Sequence, residues 1–309
     1  MDNYTDALKF LRTENNLKQK EMIIGSQNDN SLYSRLETGK LKIKIEHIEQ
    51  ICDHLDLAPS EFMAFAKIDT DFLEYKDRLN KAINRHTDVL VKEMVLKDYY
   101  RLKNINPDQV SMKELAFLYT YKNNLHKLWY EVDKITPEDT NFIVKKLSEK
   151  NFFTMYDYIL ALNTINYMDR KQADTIVKLM IPIKYKEQRT MQTKKYANVL
   201  ITNIISFEIY QMEYEQALEY IELAEKQDPT FQSYYFRFDI QYHKNLALYF
   251  LKKDTKYIDT ARKLISSIEE IQDIETAKIY KIQLNHLVDN PAYYKKNTNY
   301  DIVQIKEQN

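Results

Sequence analysis

Between residues 5 and 66 the apolar positions recur three or four apart, in short blocks. Ala7, Leu8 and Leu11 mark the first block, and Leu17, Met22 and Ile23 the second. Tyr33 and Leu36 mark the third, and Ile48, Ile51, Leu55 and Leu57 complete the set. Such spacing lays one apolar stripe along each of several helices. It predicts five short helices, Thr5–Asn15, Lys18–Ile24, Asn30–Leu36, Ile45–Leu55 and Pro59–Ala66, around one small core. Asn28 or Asp29 is placed to cap the third, and Gly39 follows its end, where a left-handed residue stops a helix. From about residue 69 the blocks lengthen into paired amphipathic helices, most clearly Thr193–Tyr210 with Glu213–Lys226. The predicted organisation is a small head, residues 1–67, and a helical body, residues 68–309.

The body repeats. Ala217, Ile221 and Ala224, followed by Pro229, have the offsets of the second helix of a tetratricopeptide repeat, where small residues let paired helices approach closely. Ala173, Val177 and Met180 stand 44 residues earlier, and Ala261, Ile265 and Ile268 stand 44 residues later. First helices are expected near 152, 193, 232 and 274. A spacing of about 40 exceeds the usual 34, so the repeats are degenerate and their helices long. The expected architecture is an α-solenoid with one concave face, against the alternative of a single irregular bundle.

Composition reinforces an all-α fold. Only two glycines occur, Gly25 and Gly39, and β-hairpins and phosphate-cradling loops depend on glycine. P-loop and dinucleotide fingerprints are thereby excluded. The six prolines fall between helical segments, where they punctuate the chain. The lone cysteine, Cys52, precludes an intrachain disulfide and fits a reducing cytoplasm. It lies between Ile51 and Leu55 and reads as an inert core thiol. The N-terminus has no signal-peptide pattern, and no apolar run is long enough to span a membrane.

The six histidines form no metal-ligand spacing. No catalytic motif is present, so an enzyme, a cofactor or a metal site is not expected. Net charge is −1, from 45 basic and 46 acidic residues. Residues 8–45, however, hold eight basic against four acidic side chains, a local +4.

The third helix closes in Ser34-Arg35-Leu36-Glu37-Thr38-Gly39-Lys40, and Leu17-Lys18-Gln19-Lys20-Glu21-Met22 opens the second. In the spacing from Gln19 to Glu37 and Gly39, this segment resembles the helix-turn-helix of phage repressors and Xre-type bacterial regulators. With a degenerate tetratricopeptide-like body of this length, the whole chain resembles the Rgg/PlcR/ComR group of quorum-sensing regulators, Rgg-like members above all. The resemblance implies a cytoplasmic homodimer that binds double-stranded DNA and senses an imported peptide pheromone on its concave face.

The resemblance assigns the third helix to the major groove, with Asn30, Ser31 and Leu32 leading and Arg35 one turn on. Asn pairs with adenine, Arg with guanine, and Leu32 meets a thymine methyl. Gln19 is placed to bond a phosphate. Lys40, Lys42 and Lys44 form an alternating basic run beside the recognition helix and are read as phosphate contacts rather than a merely solvated face. Arg12 and Glu37 are implied to form a structural ion pair. Some Rgg-like proteins carry an interprotomer cysteine just after the recognition helix; here Ile45 occupies that position.

In the body, alignment on Ala173, Ala217 and Ala261 turns Tyr158, Asn166, Asn203, Ser206, Tyr210 and His243 inward, toward a bound peptide. Asn203, flanked by Ile201, Ile204 and Ile205, is a poor helix former that needs a reason, either a ligand or an interhelical hydrogen bond. Two other readings stay open: a repressor answering a non-peptide signal, and a protein–protein interaction scaffold.

Overall fold

A computed structural model describes residues 3–22, 30–67, 70–107, 109–227 and 233–289. Among the described residues the structure is helical, with no strand. Contacts divide the chain into two compact units, residues 1–80 and 81–309. The division falls within a helix, Thr70–Asn84.

The first unit contains α1 (Asn3–Glu14), a turn of 3-10 helix (Gln19–Glu21), α2 (Asn30–Glu37), α3 (Ile45–His54) and α4 (Pro59–Phe65). Of the helix expected over Lys18–Ile24, residues 19–21 form only that 3-10 turn; residues 23–29, with the expected caps Asn28 and Asp29, lie outside the described residues. One core joins the elements. Ala7, Leu8 and Leu11 of α1 meet Tyr33 and Leu36 of α2, Ile48, Ile51 and Cys52 of α3, and Phe62 of α4. Tyr33 brings a hydroxyl into this core and satisfies it by donating to the Leu8 carbonyl at 3.0 Å. Gly39 takes φ +71°, the left-handed cap required where α2 stops. Cys52 is buried and free, and burial pushes its thiol pKa up, as expected for an inert core thiol.

The helix Thr70–Asn84 is α5. The second unit continues with α6 (Val89–Lys103), α7 (Met112–Leu125), α8 (Pro137–Ser148), α9 (Met155–Thr164) and α10 (Arg170–Met180). It ends with α11 (Met191–Tyr210), α12 (Tyr214–Gln227), α13 (Tyr234–Lys252), α14 (Thr255–Glu270) and α15 (Ile274–Asp289). The starts of α9, α11, α13 and α15 follow the expected leader positions closely. Several N-caps are local chemistry: the Asp169, Thr190, Ser233 and Asp254 side chains accept backbone N–H bonds at the first turns of α10, α11, α13 and α14.

Helices α7, α9, α11 and α13 pack side by side in one row, and α12 and α14 bridge along it, each touching the helices before and after. The repeated small and branched residues make this layering. Ala173, Val177 and Met180, then Ala217, Ile221 and Ala224, then Ala261, Ile265 and Ile268 are all buried at equivalent places in α10, α12 and α14.

Candidate functional site

The head is organised by a three-residue clasp. Arg12, in the last turn of α1, donates from Nε to Glu37 Oε2 at 2.7 Å and from Nη2 to Glu37 Oε1 at 2.9 Å. This is the bidentate fork that only arginine makes with a carboxylate. Arg12 Nη1 also donates to the Leu17 carbonyl at 2.7 Å, and Gln19 Nε2 donates to Glu37 Oε1 at 2.9 Å. One carboxylate at the end of α2 thus gathers α1, the following turn and the 3-10 segment. Burial works to raise the Glu37 carboxyl, but hydrogen bonds from Arg12 and Gln19 and the Arg12 charge outweigh it and hold the pKa below its usual range. The pairing with Glu37 raises Arg12 in turn. The ion pair expected of Arg12 and Glu37 is present. Gln19 spends one amide N–H on it and keeps a second for another acceptor.

Beyond the clasp, α2 and the segment after it separate into an inner and an outer edge. Arg35, Lys40, Lys42 and Lys44 are exposed, whereas the intervening Leu41 and Ile43 pack against the core. The alternation seen in the sequence therefore has a physical origin: an extended strip turns alternate residues in and out. The Leu41 N–H closes the strip onto α2 by donating to the Arg35 carbonyl at 3.1 Å. Leu32 differs from its expected outward placement. It is half-buried and packs on the head core, because the stripe formed with Tyr33 and Leu36 is wide enough to include it. Asn30 and Ser31 start α2, and their side chains fall outside the described residues.

In the body the six inward-reading positions divide by burial. Tyr158 is sealed in the core and donates its hydroxyl to the Met180 carbonyl at 3.0 Å. Ser206 and Tyr210 are buried, and Gln283 Nε2 reaches the Ser206 hydroxyl at 3.4 Å. His243 is buried, with Nδ1 at 2.8 Å from the Asp239 carbonyl. Those four face the packed row rather than open surface, since an alignment anchored on second-helix alanines fixes the phase of the first helices only loosely. Asn166 and Asn203 are half-exposed. The Asn203 side chain makes no hydrogen bond among the described residues, so the interhelical bond considered for it is not what holds it there.

Two buried polar groupings were missed in the sequence. On α13 the carboxyl of Asp239 accepts from the Tyr280 hydroxyl, which stands 3.3 Å from Tyr235 Oη. Burial raises the Asp239 pKa and lowers that of His243, so both favour their neutral forms. On α11, Glu208 is buried, and burial pushes its pKa up to about 7, against the lowering pull of Arg170, whose Nη2 is 3.9 Å from Oε2. A glutamate set between Phe207 and Ile209 in an otherwise apolar run was the available signal. Among the described residues no cluster of potential metal ligands occurs, and no helix is long and apolar enough to cross a membrane.

No protein-family model and no curated protein matches the chain. Solved structures do. PrgX superposes with a TM-score of 0.73 over 95% of this chain and 99% of its own, at 17% identity. PrgX in complex with cCF10 gives 0.73 over 96% and 94%, also at 17% identity. The SHP pheromone receptor Rgg2 of Streptococcus dysgalactiae gives 0.71 over 91% of this chain and 98% of its own, at 16% identity.

The fold is that of PrgX and Rgg2. The PrgX-like chain offers two surfaces with the chemistry to bind something: the basic outer edge of the head, and the first-helix row of the body that carries Asn203.

Proposed function

We propose that this protein is a homodimeric, cytoplasmic transcription regulator that reads duplex DNA with its head and senses a short peptide with its repeats. The observation that carries the reading is the exposed edge formed by Arg35, near the end of α2, and by Lys40, Lys42 and Lys44 in the segment after it, beside the α2 end that Arg12 and Glu37 hold. Lysines at this spacing neutralise successive backbone phosphates, and an arginine on the adjacent helix is placed to take a guanine edge. Gln19, with one N–H remaining, and the leading residues Asn30 and Ser31 complete the DNA face. Leu32 serves the core.

The peptide reading rests on likeness to a bacterial peptide pheromone/receptor complex and to the SHP pheromone receptor Rgg2, and on Asn203 and Asn166. An asparagine carboxamide offers a donor and an acceptor to a peptide backbone, and the half-exposed Asn203 has neither committed among the described residues. The proposal assigns binding and no bond-making chemistry, and needs no cofactor.

The test is to incubate the full-length protein with sheared DNA from its own genome and sequence what is retained, then to titrate the recovered fragment with and without candidate short peptides. Recovery of one or a few sites, with affinity shifted by a peptide, supports the reading. Uniform retention of all fragments, or none, removes the DNA half. A recovered site indifferent to every peptide that binds the body removes the coupling.

A further inference from the structure

We infer that the edge of the body formed by residues 149–154 and 184–190 binds single-stranded nucleic acid. Both segments belong to the second unit, so this surface is separate from the duplex-reading edge of the head. They are the connections that lead into α9 and α11, and side chains pin them together. Arg189 donates from Nη2 to the Phe153 carbonyl, and Lys184 Nζ donates to the Asn151 carbonyl at 3.2 Å. On this base the Arg189 guanidinium lies 4.2 Å from the centre of the Phe152 ring, and the Tyr185 ring stands 6.3 Å from Phe152. Arginine, phenylalanine and tyrosine thus form a short stack of flat groups.

The outer end of the stack is open. Phe152 is 48% and Tyr185 67% exposed, and among the described residues Tyr185 makes no other ring contact. Tyr185 also holds φ +55°, in the left-handed region that a bulky side chain rarely adopts. Strain of that kind gathers at binding sites, and here it aims an exposed ring. Successive first helices run in the same direction, each separated by one returning helix, so their starts share this edge. Tyr234, the first residue of α13 and 83% exposed, adds a further ring along it. Charge then selects the ligand. Residues 145–157 and 184–195 hold eight basic against three acidic side chains, a local +5 in a chain of net charge −1. One of the three acids, Asp157, is already spent on Lys150. The fitting ligand carries flat faces for the rings and regular negative charge for the cations. A single nucleic-acid strand has both, because its bases are free to stack and its phosphates repeat. A duplex hides its base faces, and an acidic peptide has no run of flat ones.

The test is fluorescence anisotropy of labelled oligo(U) and oligo(dT), strands that form no duplex, titrated with the full-length protein at low salt. Wild type is expected to bind, more tightly to oligo(U) if the ligand is RNA and to oligo(dT) if it is DNA. Tyr185→Ala should weaken binding by about fivefold or more, and Tyr185→Phe, which keeps the ring, should bind as wild type does. Lys184→Ala should lower the slope of log affinity against log salt by about 0.7. These side chains are at the surface, so melting and affinity for the duplex site recovered with the head stay at wild-type values. Arg35→Ala should leave oligonucleotide binding unchanged. Failure of wild type to bind either strand overturns the inference, as does equal affinity of Tyr185→Ala and wild type. Loss of oligonucleotide binding in Arg35→Ala returns that binding to the head and overturns it as well. Sedimentation with phosphatidylglycerol vesicles, without binding of either strand, overturns it and assigns the edge to an anionic lipid surface.

Discussion

The Arg12 guanidinium forks onto both carboxylate oxygens of Glu37, at 2.7 and 2.9 Å, across a sequence separation of 25 residues. Both side chains are largely withdrawn from water, which makes the pair structural rather than a surface ornament. Removing one partner leaves the other buried and uncompensated. Arg12→Ala is therefore expected to destabilise the head by about 3 kcal/mol. Glu37→Gln, which keeps the shape and loses the charge, should cost less. Denaturant unfolding followed by circular dichroism checks both. An Arg12→Ala protein that melts normally and yet fails to bind DNA contradicts the structural assignment.

Arg35 and the three lysines are expected to behave oppositely. Arg35→Ala should leave melting unchanged and reduce site-specific affinity by about 1–3 kcal/mol. Lys42→Ala should weaken binding to all sequences alike and lower the slope of log affinity against log salt by about one. Loss of thermal stability in either variant, at unchanged affinity, would reassign the residue to the fold.

Glu208 gives a pH dependence with a definite sign. Its pKa in the folded protein, about 7, lies above that of an unfolded glutamate, so the folded state holds the proton more tightly. Its contribution is fully present below the unfolded value and is lost as pH rises through 7. Glu208→Gln mimics the protonated form. The variant should match the wild type near pH 4.5 and exceed its stability at pH 8 by about 2 kcal/mol. Equal stabilities across that window would mean that Arg170 compensates the buried charge in full.

Asn203→Ala tests the ligand face. With no hydrogen-bond partner among the described residues to lose, the substitution should leave melting within about 0.5 kcal/mol of wild type. Peptide affinity, read by calorimetry, should fall by about 1 kcal/mol or more if the carboxamide bonds the ligand backbone. A destabilised variant with unchanged peptide affinity would return Asn203 to the scaffold.

Much of this molecule was readable before its structure, and particular residues show why. Gly39 announces a left-handed helix end because few residues tolerate positive φ, and the structure has it at +71°. Alanines 173, 217 and 261 announce close-packed second helices because their spacing repeats. Side-chain phase was harder to read. Leu32 turns inward because the core stripe is wider than the recognition-helix pattern assumed, and Tyr158 and His243 are sealed because one helix was phased from its neighbour. Composition alone could not separate a buried Glu208 from a solvated one, since desolvation depends on neighbours far along the chain.

The most direct test of the DNA-reading account is fluorescence anisotropy of the recovered DNA site, titrated at one fixed ionic strength with wild type and Arg35→Ala. The account predicts tight binding by wild type and a loss of about tenfold or more for Arg35→Ala at unaltered melting temperature. Equal affinity of Arg35→Ala and wild type for that site, with scrambled DNA bound as well by both, would contradict it.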